Sequence, residues 1–156
     1  MANVAWLKGL FLFQGVDDEG LAAANEFLEP RKYNSGQVVF GENEKGGNLY
    51  IVVSGKLRVY RAGKNMSEVE LATLKENEIF GEMSFLDESA HTANVAAMEN
   101  TEVVVISKQR FEEMAEIHPK TAYHMTRNLL MVIEEIVRKM NAEYVSLMDY
   151  MYVFGK

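Results

Sequence analysis

The stretch FGEMSFLDESAHTANV, residues 80–95, decides how the rest of the chain is read. Gly81 and Glu82 open a short apolar run, residues 83–86, too short for a core helix but long enough for one helical turn. The first N–H groups of such a turn have no partner within it, and with the positive end of the turn's dipole they make an anion site. The run breaks at Asp87, Glu88 and Ser89, and the small residues Ala90, Thr92 and Ala93 lead back to a strand at Val95. Small residues let backbone approach a ligand closely.

Outward from this stretch the pattern is that of short strands. Residues 38–40, 49–53, 56–61, 69–74, 95–98 and 103–106 are rich in β-branched and aromatic side chains. Asn34-Ser35-Gly36, Gly63-Lys64-Asn65 and Lys75-Glu76-Asn77-Glu78 read as turns, and GENEKGGN, residues 41–48, as a Gly/Asn-rich hairpin loop. About eight short strands with regular turns predict a mainly β fold, a jelly roll or β-sandwich.

Helices are predicted on both sides of these strands. Trp6, Leu7, Leu10, Phe11 and Phe13 form an apolar cluster, then Asp17 or Asp18 caps a helix over residues 19–28 that Pro30 ends. Leu21, Ala24, Asn25 and Leu28 give it one mostly apolar face for packing on a sheet. Ser107 caps a helix over residues 108–117 with Phe111, Met114 and Ala115 inward, and Pro119 starts a long helix without Gly or Pro until Gly155. On it Leu130, Ile133, Val137, Met140, Tyr144, Leu147, Met151 and Phe154 are apolar at alternating spacings of three and four, a coiled-coil seam. A second stripe, Met125, Leu129, Val132 and Ile136, lies beside it and suits the helix's own domain. Two stripes imply two partners, so a homodimer paired along this helix is expected. Residues 1–119 and 120–156 are expected to form one domain, the second part supplying the dimer interface.

A chain of 156 residues with 48% hydrophobic composition suits one domain with a real core, and a net charge of -7 argues against a surface built for nucleic acid or an anionic membrane. No apolar run approaches a membrane span, residues 1–17 lack the pattern of a cleavable leader, and Cys 0 rules out disulfides, which together suit a cytoplasmic protein. Catalysis has little support. Only His91, His118 and His124 are available, too scattered for a metal-binding strand cluster, and no motif marks a nucleophile. No catalytic or metal-ligating residue and no required cofactor is therefore expected; Asp87 and Glu88 read as carboxylates of a solvated loop.

Residues 80–95 resemble the phosphate-binding cassette of the cyclic nucleotide-binding domain family, whose pattern is roughly F-G-E-[LI]-[AG]-L-L followed by P-R-[AS]-A-x-V. Phe80, Gly81, Glu82, Met83, Leu86, Ala93 and Val95 fall on it, Thr92 sits where small or hydroxyl residues occur, and His91 stands at the arginine position. A second signature, F-x-x-G-x-x-G-x-x-L-Y-I-V-x-S-G, is met by Phe40, Gly46, Leu49, Tyr50, Ile51, Val52, Ser54 and Gly55, with Asn43 for the first glycine. Asparagine is the usual stand-in at a positive φ.

The resemblance implies a double-stranded β-helix, or jelly-roll barrel, with an N-terminal helix and a long C-terminal dimerisation helix. It implies a ligand, a cyclic nucleotide such as cyclic AMP or cyclic GMP, with its cyclic phosphate on the N–H groups of residues 81–84, from Gly81 through Met83 to Ser84, beneath Phe80. Glu82 would accept from the ribose 2′-hydroxyl, Thr92 would offer N–H and hydroxyl to the phosphate beside His91 and Ala93, and the base would lie near Ile136, Val137 and Met140. Occupancy would bias the long helix and the dimer. The family's transcription factors continue into a helix-turn-helix, and none is expected within these residues, so the chain would be a regulatory module or part of something longer. The histidine leaves a second expectation, a module of the same fold that binds no nucleotide and serves as a dimeric interaction protein.

Overall fold

The computed structural model of the chain describes residues 3–63, 65 and 67–154. Helices α1 (Val4–Gly9) and α2 (Asp18–Phe27), joined through a 3-10 turn at Phe11–Phe13, precede eight strands. These are β1 (Glu29–Tyr33), β2 (Val38–Phe40), β3 (Asn48–Ser54), β4 (Leu57–Ala62), β5 (Glu68–Leu74), β6 (Ile79–Phe80), β7 (Asn94–Ala97) and β8 (Thr101–Ser107). Helices α3 (Lys108–Ile117) and α4 (Pro119–Phe154) follow. Lys64, in one of the expected turns, and the side chain of Phe154, in the expected seam, lie outside what is described.

The strands form two antiparallel four-stranded sheets, in the orders β1-β8-β3-β6 and β2-β7-β4-β5, and successive strands pass between them as in a jelly roll, except for the β4–β5 hairpin within one sheet. Strands β3 and β8 are buried on both faces. Leu49, Ile51, Val104 and Ile106 meet the helices, whereas Tyr50, Val52, Val103 and Val105 meet Phe40, Leu57, Val95 and Ala97 inside the roll. The period of two along a strand divides one apolar run between two cores, which is why these strands carry no polar alternation.

Two local expectations give way. Helix α2, capped by Asp17 at the Gly20 N–H (2.9 Å), ends at Phe27, and Pro30 instead sits in β1, opposite Val104. That strand is a sheet edge, where a residue without an N–H is tolerated. The stretch 41–48 is not a hairpin: β2 and β3 belong to different sheets, and the loop crosses between them. Of the first apolar cluster, Leu7, Leu10 and Phe13 are buried while Phe11 is exposed.

Helix α4 has 36 residues and so runs about 54 Å at 1.5 Å per residue. Its start is locked to the N-terminal segment. Asn128, fully buried, donates to the Leu12 and Gln14 carbonyls at 3.0 and 2.8 Å, and Met125 and Leu129 join the helical core. Val132 and Ile136 are half-buried, and Ile133 of the expected seam packs partly on the chain's own core. Beyond it Val137, Met140, Tyr144, Leu147 and Met151 are exposed, as is Leu130 before it.

Candidate functional site

The two sequence signatures are one physical unit. Gly81 adopts φ 81°, and a Cβ there would come within 2.6 Å of the Asn48 carbonyl oxygen, so both conformation and space demand glycine. It launches a 3-10 turn at Glu82–Ser84, a tighter form of the predicted helical turn. Gly46, from the crossing loop, lies so close to Ser84 that a Cβ would overlap its hydroxyl, and its N–H donates to the Ser89 carbonyl at 3.0 Å. The Asn43 N–H donates to the His91 carbonyl and the His91 N–H to the Glu44 carbonyl, at 2.9 and 2.8 Å. The loop thus clamps both arms of residues 81–91. Asn43 has φ 71°, the conformation that lets it replace glycine.

His91 turns inward. Its ring stacks on Phe40 with centroids 3.6 Å apart and planes 10° from parallel, and Nδ1 shares a hydrogen bond with Ser84 Oγ at 3.1 Å. At 7% exposure the ring is desolvated, which pulls its pKa below the ordinary histidine value, Glu44 opposing the shift. Ser84 is buried as well. Phe80 stacks on Tyr50 at 4.7 Å, its ring in the core of the roll. Glu82 is half-buried, and burial raises its carboxyl pKa, with only a hydrogen bond to its own backbone opposing; no cation contributes. A dehydrated carboxylate without a cation is an acceptor waiting for donors.

The remaining expected ligand contacts divide. Met83 and Thr92 are exposed and Ala93 is half-buried, at the rim of the same turn. Ile136 is half-buried, while Val137 and Met140 are exposed, two to three turns further along α4 than the cassette's own contact with that helix. That contact is made by Phe85 and Leu86, which share a crevice with Phe111, Met125, Thr126 and Leu129. Phe85 is fully buried and meets Phe111 edge-on at 5.4 Å. Sequence reasoning placed it in an apolar run and gave it no separate role; the available signal was one aromatic between the exposed Met83 and Leu86.

Asp87 and Glu88 are more than solvated carboxylates. Asp87 accepts from the Ser89 N–H at 2.9 Å, a bond that lowers its pKa, and Glu88, at φ 55°, pairs with Lys45 and Lys108 at 3.2 and 3.6 Å. A cavity of about 230 Å3 lies apart from the cassette, where the N-termini of α2 and α4 meet, and its Lys120 is paired with Asp17.

The chain is an antiparallel roll backed by helices, with a glycine-launched turn clamped by a glycine-containing loop. The family sequence described as "Cyclic nucleotide-binding domain" matches residues 30–118, and the chain belongs to that family. It is 33% identical over 129 residues to the cyclic AMP receptor protein of Thermus thermophilus, covering 83% of this chain and 60% of that one. To the CRP-like cAMP-activated global transcriptional regulator of Mycobacterium tuberculosis it is 28% identical over 130 residues, 83% of this chain and 56% of that one. The crystal structure of Thermus thermophilus catabolite activator protein superposes with a TM-score of 0.78 at 30% identity, over 90% of this chain and 63% of that one. The chain therefore spans little more than half the length of these curated relatives.

Proposed function

We propose that the chain is a regulatory module that binds a cyclic nucleotide, cyclic AMP or cyclic GMP, at residues 81–93 and transmits occupancy to α4 and to a homodimer paired along it. One observation carries this reading: the turn whose N–H groups would take the cyclic phosphate continues directly into Phe85, buried against α3 and α4. A ligand that shifts Gly81 to Ser84 cannot leave Phe85 in place. Coupling of this kind needs only differential affinity for two positions of α4.

In this reading Glu82 accepts from the ribose 2′-hydroxyl, which gives its desolvated carboxylate a donor beyond its own backbone N–H. Thr92 offers N–H and hydroxyl to the phosphate, and the base rests on the exposed part of α4 near Ile136, Val137 and Met140. The dimer seam covers Val137, Met140, Tyr144, Leu147, Met151 and Phe154, with Leu130 and Ile133 at its start.

A second reading has its own observation. The family's arginine position holds an imidazole that is already stacked on Phe40 and bonded to Ser84, and the lysines near it, Lys45 and Lys108, are engaged by Glu88. Loss of a charged donor costs about 1.5–3 kcal/mol, tenfold to a hundredfold or more in affinity. On this reading the module binds no nucleotide and is a dimeric interaction protein. Calorimetric titration with cyclic AMP and cyclic GMP separates the two: saturable binding of either at one site per chain supports the receptor, and no heat from either at millimolar concentration supports the interaction module.

A further inference from the structure

Strand β4 carries a charge into the roll. Its register against β7 sets Leu57 opposite Ala97 and Val59 opposite Val95, and Leu57, Val95 and Ala97 are buried inside the roll with Val59 packed against them. Alternation along the strand then turns Arg58 and Tyr60 outward, where the Arg58 guanidinium lies over the Tyr60 ring, and turns Arg61 inward. Val69, opposite Arg61 on β5, shares that face and is 48% exposed, so this end of the roll is open. The last β4–β7 pair is Tyr60 with Asn94, and one step further along both strands falls at Arg61 and Ala93, in the arm that brings the cassette back to the sheet. The side chain is held there. Arg61 Nε donates to Glu42 Oε1 at 3.0 Å and Nη2 donates to the same oxygen. The Glu42 N–H in turn donates to Asn94 Oδ1 at 2.9 Å, and the Asn43 N–H to the His91 carbonyl. The carboxylate that grips the guanidinium thus belongs to a segment bonded to residues 91 and 94, on either side of Thr92.

We propose that Arg61 gives the cyclic phosphate the fixed positive charge that a neutral imidazole at position 91 does not, and that Glu42 positions it, an inference that rests on the nucleotide binding proposed above. A phosphodiester stays negative through neutral pH, and a guanidinium answers it with a permanent charge and several donors in one plane. The other basic groups near the cassette are committed elsewhere: His91 to Phe40 and Ser84, and Lys45 and Lys108 to Glu88. Arg61 turns one edge, Nε and Nη2, to a single carboxylate oxygen, and the planar fork keeps Nη1 on the side away from it. The grip is loose, because the Arg61 side chain is 55% exposed and pairs this open to water are weak. A phosphate arriving at Thr92 therefore meets a cation that is placed but not consumed.

Calorimetric titration of the full chain with cyclic AMP and cyclic GMP tests this at about pH 8, where an ordinary imidazole is neutral. Circular dichroism shows whether each variant keeps the β-roll. Arg61→Gln should weaken binding by about tenfold to a hundredfold, and Arg61→Lys, which keeps the charge but not the fork, by less. A structural role for Arg61 could also lower affinity, so the deciding readout is a rescue. His91→Arg should raise affinity by a larger factor in the Arg61→Gln background than in the unaltered protein, because there it replaces the charge that was removed. Should Arg61→Gln lose the roll, the same comparison in Arg61→Lys decides. Equal factors in the two backgrounds, or unchanged affinity in folded Arg61→Gln, overturn the role of Arg61 and leave the receptor standing. No binding of either nucleotide by the unaltered protein overturns the receptor and this inference together.

Discussion

The first turns of α4 and its last are built from similar apolar residues, yet they meet opposite fates. Met125 and Leu129 lie inside the chain's own core, whereas Met140, Leu147 and Met151 are more than half exposed. The difference lies in what the rest of the chain supplies. The start of α4 is met by Leu12, Phe85 and Phe111 and held by the Asn128 hydrogen bonds, so its apolar face is complete without help. At the end Met140, Leu147 and Met151 stay exposed, so any burial of them is left to an assembly. The cassette touches only the first region. In the proposed function the signal runs along the helix from the self-sufficient part to the exposed part.

Substitutions should separate the two regions. The largest effect belongs to Phe85→Ala, which empties a fully buried aromatic site where cassette, α3 and α4 meet. It should cost about 3–5 kcal/mol in urea denaturation. Leu147→Glu should change mass in solution without altering the roll's sheet signal; if it unfolds the roll as Phe85→Ala does, the division between the two regions is wrong.

Next in size is Glu82→Gln, expected to weaken cyclic nucleotide binding tenfold to a hundredfold in a calorimetric titration. Its melting temperature should hold or rise. Burial raises the pKa of Glu82, so the folded state pays for its ionised form at pH above that raised value, and the amide removes the cost. A lowered melting temperature with unchanged affinity would make Glu82 structural.

A smaller effect is expected at His91. Burial holds its pKa below the usual value in the free protein, and a phosphodiester nearby would raise it in the complex, so between the two values the complex binds more protons. Affinity should rise as pH falls from about 8 through 6. His91→Arg should tighten binding at pH 8 by about tenfold and flatten the profile. A flat profile in the unaltered protein would place the ring's role in the Phe40 stack alone.

The smallest effect concerns stability without ligand. Because the folded pKa of His91 lies below the unfolded one, its contribution is complete above about pH 6.5 and is lost as pH falls below that value. The urea midpoint of the unaltered protein should drop more between pH 7.5 and 5.5 than that of His91→Gln.

Much of this was legible in the sequence because the deciding residues act locally. Ser107 caps α3 at the Arg110 N–H, Asp17 caps α2, and glycine or asparagine occupies every described position of positive φ but Glu88. The edge strand β1 was missed because a proline breaks strand patterning unless one knows the strand is an edge. The crossing loop was taken for a hairpin because only the sheet order shows that β2 and β3 part company. In the site, the family pattern located the turn, but it could not tell that His91 faces Phe40 and Ser84, since that depends on a stack between residues 51 positions apart. Nor could it find Phe85, whose burial depends on two distant helices.

The most direct test of the central claim, that α4 feels what the cassette holds, is an interprotomer distance. The chain has no cysteine, so Glu135→Cys carries a single spin label on the exposed side of α4. Pulsed electron resonance should show the label-to-label distribution shifting or narrowing with saturating cyclic AMP or cyclic GMP, and failing to do so when Glu82→Gln is added at the same nucleotide concentration. An identical distribution with and without nucleotide, in protein that calorimetry shows to be occupied, would contradict the coupling.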